Sequence, residues 1–413
     1  MDPFLRWSRT TGLEGDLWDL DAAGIKSDSI TLQLKNMYKI PSKYMDRIEN
    51  SKERIRAVYE HRNLEMPYIV NYMNYWLEGE TPSMIPQDYF DDPAVMTDFQ
   101  LKKIDFHMEN FQDDFIPLLH PWFGIGVVPS AMGCEIEFVK NGDPAIRKAA
   151  INHPEQIMEL KRPDPYSDGL MPRVLGAIDY MKQHTDIPVS VTDTQGPLNI
   201  ALSVCGLENM FSWMLMYPEK AHELMELSTD ILIDWVKVQK KHAGQEMESG
   251  AWPHAIHLPE GYGGVWLSDD DCTQLPADLY REFVVPYNSK VLKAFGGGTI
   301  HFCGTADHQL DNFLATDGLT GINNFCMGDF NQVKLMQEKF EDKIAIMVCD
   351  FAPLDMEGYF HEIFSVMRTK GNILAIFIAP EFALGDGRYK LGSREGNETS
   401  RIINEIIRKQ LNR

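Results

Sequence analysis

From Gly298 onwards the chain repeats one unit, a short apolar run followed by a stretch whose apolar residues recur three and four apart. The runs are GTIHFC (298–303), GINNFC (321–326), KIAIMVCD (343–350) and NILAIFIA (372–379). Helical spacing marks HQLDNFLATD, FNQVKLMQEKF, MEGYFHEIFSVMRTKG and ETSRIINEIIRKQL between and after them. A strand that is apolar on both faces has to be covered on both, which calls for a parallel sheet with helices outside it. Four more runs carry the pattern towards the N-terminus: MPYIVNYMNYW near 67, GIGVVPS near 124, IPVSVTD near 188 and SGAWPHAIHL near 250. Helices are expected between them, at 51–62, over MTDFQLKKIDFHMENFQDDFIPLLH, at 218–244 ending on Gly244, and at 276–295. Eight strands in this alternation predict an α/β fold of one kind, a closed (β/α)8 TIM barrel. An open doubly wound sheet fits less well, because no GxGxxG follows the first strand.

A length of 413 residues would ordinarily suggest two or three domains. The strand count assigns the chain instead to one barrel over residues 51–413. Residues 1–50 are then an N-terminal extension that wraps or joins subunits, as in a homodimer. Lys and Arg number 39 against 61 Asp and Glu, a net charge of −22. That excess argues against nucleic acid as a partner and against an anionic membrane surface, since both select basic faces. The N-terminal MDPFLRWSRTTGLEGD has no apolar core of a secretory signal, and no apolar run reaches membrane-spanning length. Six cysteines stand at 134, 205, 272, 303, 326 and 349 without a CxxC pair. Reduced thiols in a cytoplasmic protein are the expectation.

In a barrel of this type the chemistry sits at the C-terminal ends of the strands. Those ends carry Asp193 and Gln195, His254 and His257, His301 and Cys303, Asn323 and Cys326, Cys349 and Glu381. His301 and Cys303 are two apart on a strand and share a face. Imidazole with thiolate is a preferred donor set for zinc, and Gly304 lets the backbone turn just beyond it. Cys349 is the first choice for a third ligand, with Glu381 as a carboxylate alternative. Asp193, Gln195, His257 and Asp271 are candidates for orienting substrate, the last as the member of Asp269–Asp271 turned inward. The bland readings are a packed histidine, buried thiols, loop histidines satisfied by hydrogen bonds and a solvated acidic turn.

QGPLNIALSVCGLENMFSWMLMYPEKAHELME (195–226), LPADLYREFVVPYNSKVLKAFGGGTIHFCG (275–304) and ERIRAVYEHRNLEMPYIV (53–70) resemble the signature segments of the uroporphyrinogen decarboxylase superfamily. The resemblance runs from about residue 51 to the C-terminus and implies the same barrel. Decarboxylases of that superfamily carry an arginine motif just after strand 1, whereas LEGETPSMIPQDYF (77–90) contains no arginine. Arg9–Gly12 matches it only superficially, upstream of the first strand. The segment Leu198–Ala201 also lacks the tyrosine expected there.

The resemblance therefore points to the corrinoid-dependent methyltransferase branch, in which His-x-Cys and a later cysteine hold zinc. His301 and Cys303 fall on that motif. The later cysteine belongs to an SPGCG turn, which here reads Ala379-Pro380-Glu381-Phe382-Ala383 with phenylalanine at the cysteine place. Zinc with an open position would activate a thiol, or polarise the oxygen of a methyl ether or methanol. Cobalamin would be carried by a separate corrinoid protein docking over the mouth. Trp252, Tyr262, Trp266, Phe302 and Phe325 suggest a flat apolar methyl donor or acceptor such as a phenyl methyl ether, so that the reaction is O-demethylation. Two other classes remain: a metal-free decarboxylase-like lyase acting on a carboxylate, and a non-catalytic barrel binding a corrinoid or tetrapyrrole.

Overall fold

The computed structural model describes residues 37–71, 86, 88–139, 142–252, 256–352, 356–378 and 394–411. Strand β1 (Tyr68–Asn71) is followed by two hairpins, β2–β3 (Glu135–Glu137 and Ala145–Lys148) and β4–β5 (Gly250–Trp252 and Ile256–Leu258). Five strands follow: β6 (Val265–Ser268), β7 (Gly298–Cys303), β8 (Leu319–Phe325), β9 (Ala345–Ala352) and β10 (Asn372–Ile378). The sheet order is β1-β10-β9-β8-β7-β6, and every neighbouring pair is parallel. Helices separate β6 to β10, as the alternation of patterns requires. Among the described residues no helix is long and apolar enough to cross a membrane.

The central parallel sheet is as expected, while three of the expected strands are not regular strands. GIGVVPS forms a short helix, Val127–Ala131. Its apolar run is too short for periodicity to distinguish the two states. Within 249–258, Gly250–Trp252 and Ile256–Leu258 pair antiparallel outside the parallel sheet, and the strand that joins the sheet is Val265–Ser268, hidden between Gly263–Gly264 and an acidic turn. IPVSVTD has no ladder of its own. It is extended and makes isolated parallel bridges, Leu119↔Val189 on one side and Gln195↔Ser268 on the other. The helix read through to His120 ends at Asn110, after which the chain runs extended and Asp114 N donates to Tyr68 O at 2.8 Å.

The helix Pro218–Ala243 has proline in its first turn and ends at Gly244 in the left-handed region, as its sequence predicts. The stretch 276–295 breaks at Val284 into Ala277–Phe283 and Val285–Ala294, because Pro286 has no N–H to continue the first helix. Residues 247–248 press the hairpin arm against the N-terminal ends of β6 and β7 through glycine contacts. Gly263 has φ +99°, and a Cβ placed there would lie 1.9 Å from the Gly297 carbonyl carbon. Both the backbone conformation and a backbone clash exclude a side chain. Gly263→Ala is therefore expected to cost at least about 3 kcal/mol, read as a lowered urea midpoint. An unchanged midpoint would contradict this packing.

Candidate metal centre

Along β7 the alternation is Ile300 and Phe302 on one face, Thr299, His301 and Cys303 on the other. Phe302 is buried against the helical layer and stacks on Phe313 with centroids 5.3 Å apart. His301 and Cys303 consequently point away from that layer, at the C-terminal end of the strand. Their register partners are Ser268 on β6 for His301, and Asn323 and Phe325 on β8 for His301 and Cys303.

After Ser268 the chain turns sharply. Asp269 N donates to His301 O at 2.8 Å, which locks the start of the 3-10 turn Asp270–Thr273 above the end of β7. Asp269 itself is buried, accepting from Tyr280 Oη at 2.5 Å and Asn288 Nδ2 at 2.9 Å. Burial pushes its carboxyl up to about 6, against the pull of those two donors. The anchored turn leaves Asp270 Oδ1 3.6 Å from His301 Nε2. Cys303 Sγ lies 3.4 Å from the same nitrogen. One ligand atom from each of Asp270, His301 and Cys303 falls within 4.8 Å of the others. Asp270 Oδ1 is enclosed and has no hydrogen-bond partner among the described residues. An enclosed carboxylate oxygen without a donor, facing imidazole and thiol, is a donor set that a bound cation would satisfy. The N, S and O donors suit zinc with one position open.

The far side of the imidazole is also fixed. His301 Nδ1 is hydrogen-bonded to Asn323 Oδ1, and Trp266 stacks on the ring with centroids 5.3 Å apart and planes 20° apart. Asp193 stands beside the cluster and receives Gln195 Nε2 at 2.5 Å and Ser268 Oγ at 3.2 Å. Asn199 Nδ2 in turn donates to Gln195 Oε1 at 3.0 Å. Burial raises the Asp193 carboxyl, with Asp270 adding to the rise and Gln195 and His301 opposing it. On β8, β9 and β10, Phe325, Phe351 and Phe377 form a mutual cluster with centroid separations of 5.1–5.7 Å. Phe325 is the register partner of Cys303, so this apolar wall adjoins the donors.

The structure thus brings together His301, Cys303, Asp193 and Gln195, and it adds Asp270 from the acidic run. Cys349 is not in that group of donors: its Sγ accepts from Asn323 Nδ2 at 2.9 Å, and burial pushes its thiol up to about 12. Asp271 Oδ1 accepts from Gln274 Nε2 at 2.8 Å in an exposed part of the turn. His257 lies on the hairpin, with the Ile116 backbone and Lys52 as its electrostatic neighbours. His254 and Glu381 lie outside the described residues. Of the five aromatics named from the sequence, Trp266 and Phe325 belong to this site. Phe302 packs outward, Trp252 is buried in the hairpin and Tyr262 sits against Tyr59 at 5.3 Å. The sequence marked Asn323 only as a polar residue at a strand end; its place beside His301 comes from strand register.

A methyltransferase structure from Methanosarcina mazei superposes on 88% of this chain and 98% of its own, with TM-score 0.61 and 14% identity, a likeness of fold. A curated relative, methylated-thiol–coenzyme M methyltransferase of Methanosarcina mazei, is 28% identical over 199 residues. The match spans 47% of this chain and 49% of that protein, about half the length of each. The family model for uroporphyrinogen decarboxylase (URO-D) matches residues 87–347, a span that contains β6 to β8 with the donor cluster, and the chain belongs to that family.

Proposed function

We propose that this protein is a zinc-dependent enzyme that moves a methyl group between a small molecule and a corrinoid protein. The observation that carries the reading is the convergence of Asp270 Oδ1, His301 Nε2 and Cys303 Sγ at the C-terminal end of β7. The named methyltransferase among its relatives supports the same reaction class. We infer further that the extended segments 115–119 and 188–195 fill the two remaining places of a closed (β/α)8 barrel. The parallel bridges Leu119↔Val189 and Gln195↔Ser268, with the hydrogen bond from Asp114 N to Tyr68 O on β1, support that closure. A cytoplasmic enzyme carrying an N-terminal extension up to residue 50 belongs to this reading, as does a partner that brings the cobalamin.

Zinc held by the three donors would act as a Lewis acid on a substrate heteroatom, withdrawing electron density where the methyl bond is made or broken. The remaining work falls to the chain. Asp270 and Cys303 supply negative charge, His301 fixes the geometry, and Trp266 closes one side of the imidazole against water. Asp193, held by Gln195 and Ser268, offers a carboxyl whose raised affinity for protons suits it to exchange one with a substrate oxygen or sulfur. Phe325, Phe351 and Phe377 present an apolar wall that favours a neutral donor with a flat hydrocarbon part, such as a phenyl methyl ether, and exclude bulk water.

The test is zinc content together with methylation of cob(I)alamin, followed by its absorbance, against methanol, methylamines, methyl thiols and phenyl methyl ethers. One zinc per chain and methylcobalamin formation with a phenyl methyl ether are expected. A folded, metal-free protein that methylates nothing in the panel would refute the reading, as would a metal-free protein that releases CO2 from a carboxylate.

A further inference from the structure

The two hydrogen-bonding ends of Asn323 are not interchangeable. Its nitrogen lies 3.1 Å from the carbonyl oxygen of Met347, a group that can only accept. The same nitrogen lies 2.9 Å from Cys349 Sγ, whose thiol keeps its proton and receives a hydrogen bond through a sulfur lone pair. Nδ2 must therefore face β9, and Oδ1 must face His301 Nδ1. An amide oxygen can only accept, so Nδ1 has to carry a proton. In the neutral imidazole that leaves the lone pair on Nε2, the nitrogen beside Asp270 Oδ1 and Cys303 Sγ.

We propose that Asn323 is a positioning residue that selects the metal-binding tautomer of His301, and that Cys349 serves as its anchor rather than as a ligand. The inference rests on the zinc reading for its purpose, though its chemical content is independent of any metal. Asn323 is buried and placed by sheet register, being the parallel-strand partner of both His301 and Met347. A side chain on β8 thus reaches β7 with one end and β9 with the other. The donor on the central ring is set by a carbonyl two strands away, and Cys349 sits where its sulfur holds the amide in plane.

Selective 15N-histidine labelling of the metal-free protein tests this, with the His301 signals assigned by their loss in His301→Gln. Nitrogen shifts and couplings should report a proton on Nδ1 and a bare Nε2. A neutral ring with its proton on Nε2 would overturn the proposal, whatever any variant does. In Asn323→Leu the His301 signals should move to a mixture of tautomers, and an unchanged Nδ1–H signature in a folded variant would also overturn it. Competition for zinc against a chromogenic chelator supplies the second readout. Asn323→Leu should bind roughly 10- to 100-fold more weakly, as for other loss of outer support. Cys349→Ser keeps an acceptor for the amide and should still retain zinc, whereas loss of zinc there would make Cys349 a ligand and refute the assignment. A wild-type protein with the Nδ1–H tautomer but no affinity for zinc would sustain the role of Asn323 and remove the proposed function instead.

Discussion

Asp270→Asn is expected to lower zinc occupancy and methyl transfer while leaving the fold intact. The carboxylate belongs to a turn held by Asp269, not by Asp270, through Tyr280, Asn288 and the His301 carbonyl. Its Oδ1 has no donor to lose among the described residues. Neutralising it removes one negative ligand and one charge, and a loss of about 10- to 100-fold in metal affinity is the expected scale, comparable to the loss of an outer-shell partner or larger. His301→Ala and Cys303→Ser should reduce occupancy below detection, with transfer falling by about 10³-fold or more if the metal supplies several kcal/mol of the barrier lowering. Metal analysis after exhaustive dialysis, paired with circular dichroism, separates these outcomes from misfolding. Full zinc in Asp270→Asn would remove the aspartate from the ligand set, and full zinc in Cys303→Ser would refute the centre.

How far the sequence reached depended on the kind of signal each residue carries. β7 to β10 were legible because they are apolar on both faces, at strand length, and bounded by glycine, asparagine or charged residues. Residues 115–119 were not, because the run is short, holds Pro117, and begins at Phe115, four residues after Phe111, so helical spacing carries on past the helix end at Asn110. Val265–Ser268 is only four residues long and lies between glycines and aspartates, which read as a loop. His301 and Cys303 could be found from a separation of two on a strand. Asp270 could not be singled out from Asp269 and Asp271, since direction within a 3-10 turn depends on the anchor at Asp269. The role given to Cys349 followed from its place at a strand end. Register, which the sequence does not state, put Asn323 between that thiol and the imidazole.

The largest loss of stability is expected from Asp113→Ala, far along the chain from the donors. This carboxylate is fully buried and receives Arg47 Nη2 at 2.8 Å, His107 Nε2 at 3.0 Å, Val70 N at 2.7 Å and Phe115 N at 3.3 Å. Its neighbour Asp114 takes Arg54 Nε at 2.5 Å and Tyr68 N at 3.2 Å. The pair thereby joins the helices Met45–Tyr59 and Pro93–Asn110 to β1, and satisfies two backbone donors of that strand. Removing the Asp113 carboxylate leaves a guanidinium and two backbone N–H groups without this acceptor, and about 3–5 kcal/mol is the expected cost in guanidinium unfolding. Burial alone would raise this carboxyl, but His107 and Arg47 outweigh it and hold it below the ordinary aspartate value. A depressed aspartate stabilises fully above its unfolded value near 3.8 and loses that contribution as pH falls through its folded value. His257 acts earlier on acidification. Burial, with Lys52 adding, lowers it from 6.5 to about 4, so the unfolded chain binds the extra proton first and stability drops between those values. The His257 contribution to unfolding free energy should therefore decline from pH 6.5 to 4 by roughly 3 kcal/mol at most. Asp269, raised to about 6, adds stability as it takes up a proton over much of the same range. His257→Gln should change the slope of stability against pH between 6.5 and 4 by the His257 contribution alone. A variant that leaves that slope unchanged would show that the hairpin imidazole does not control it.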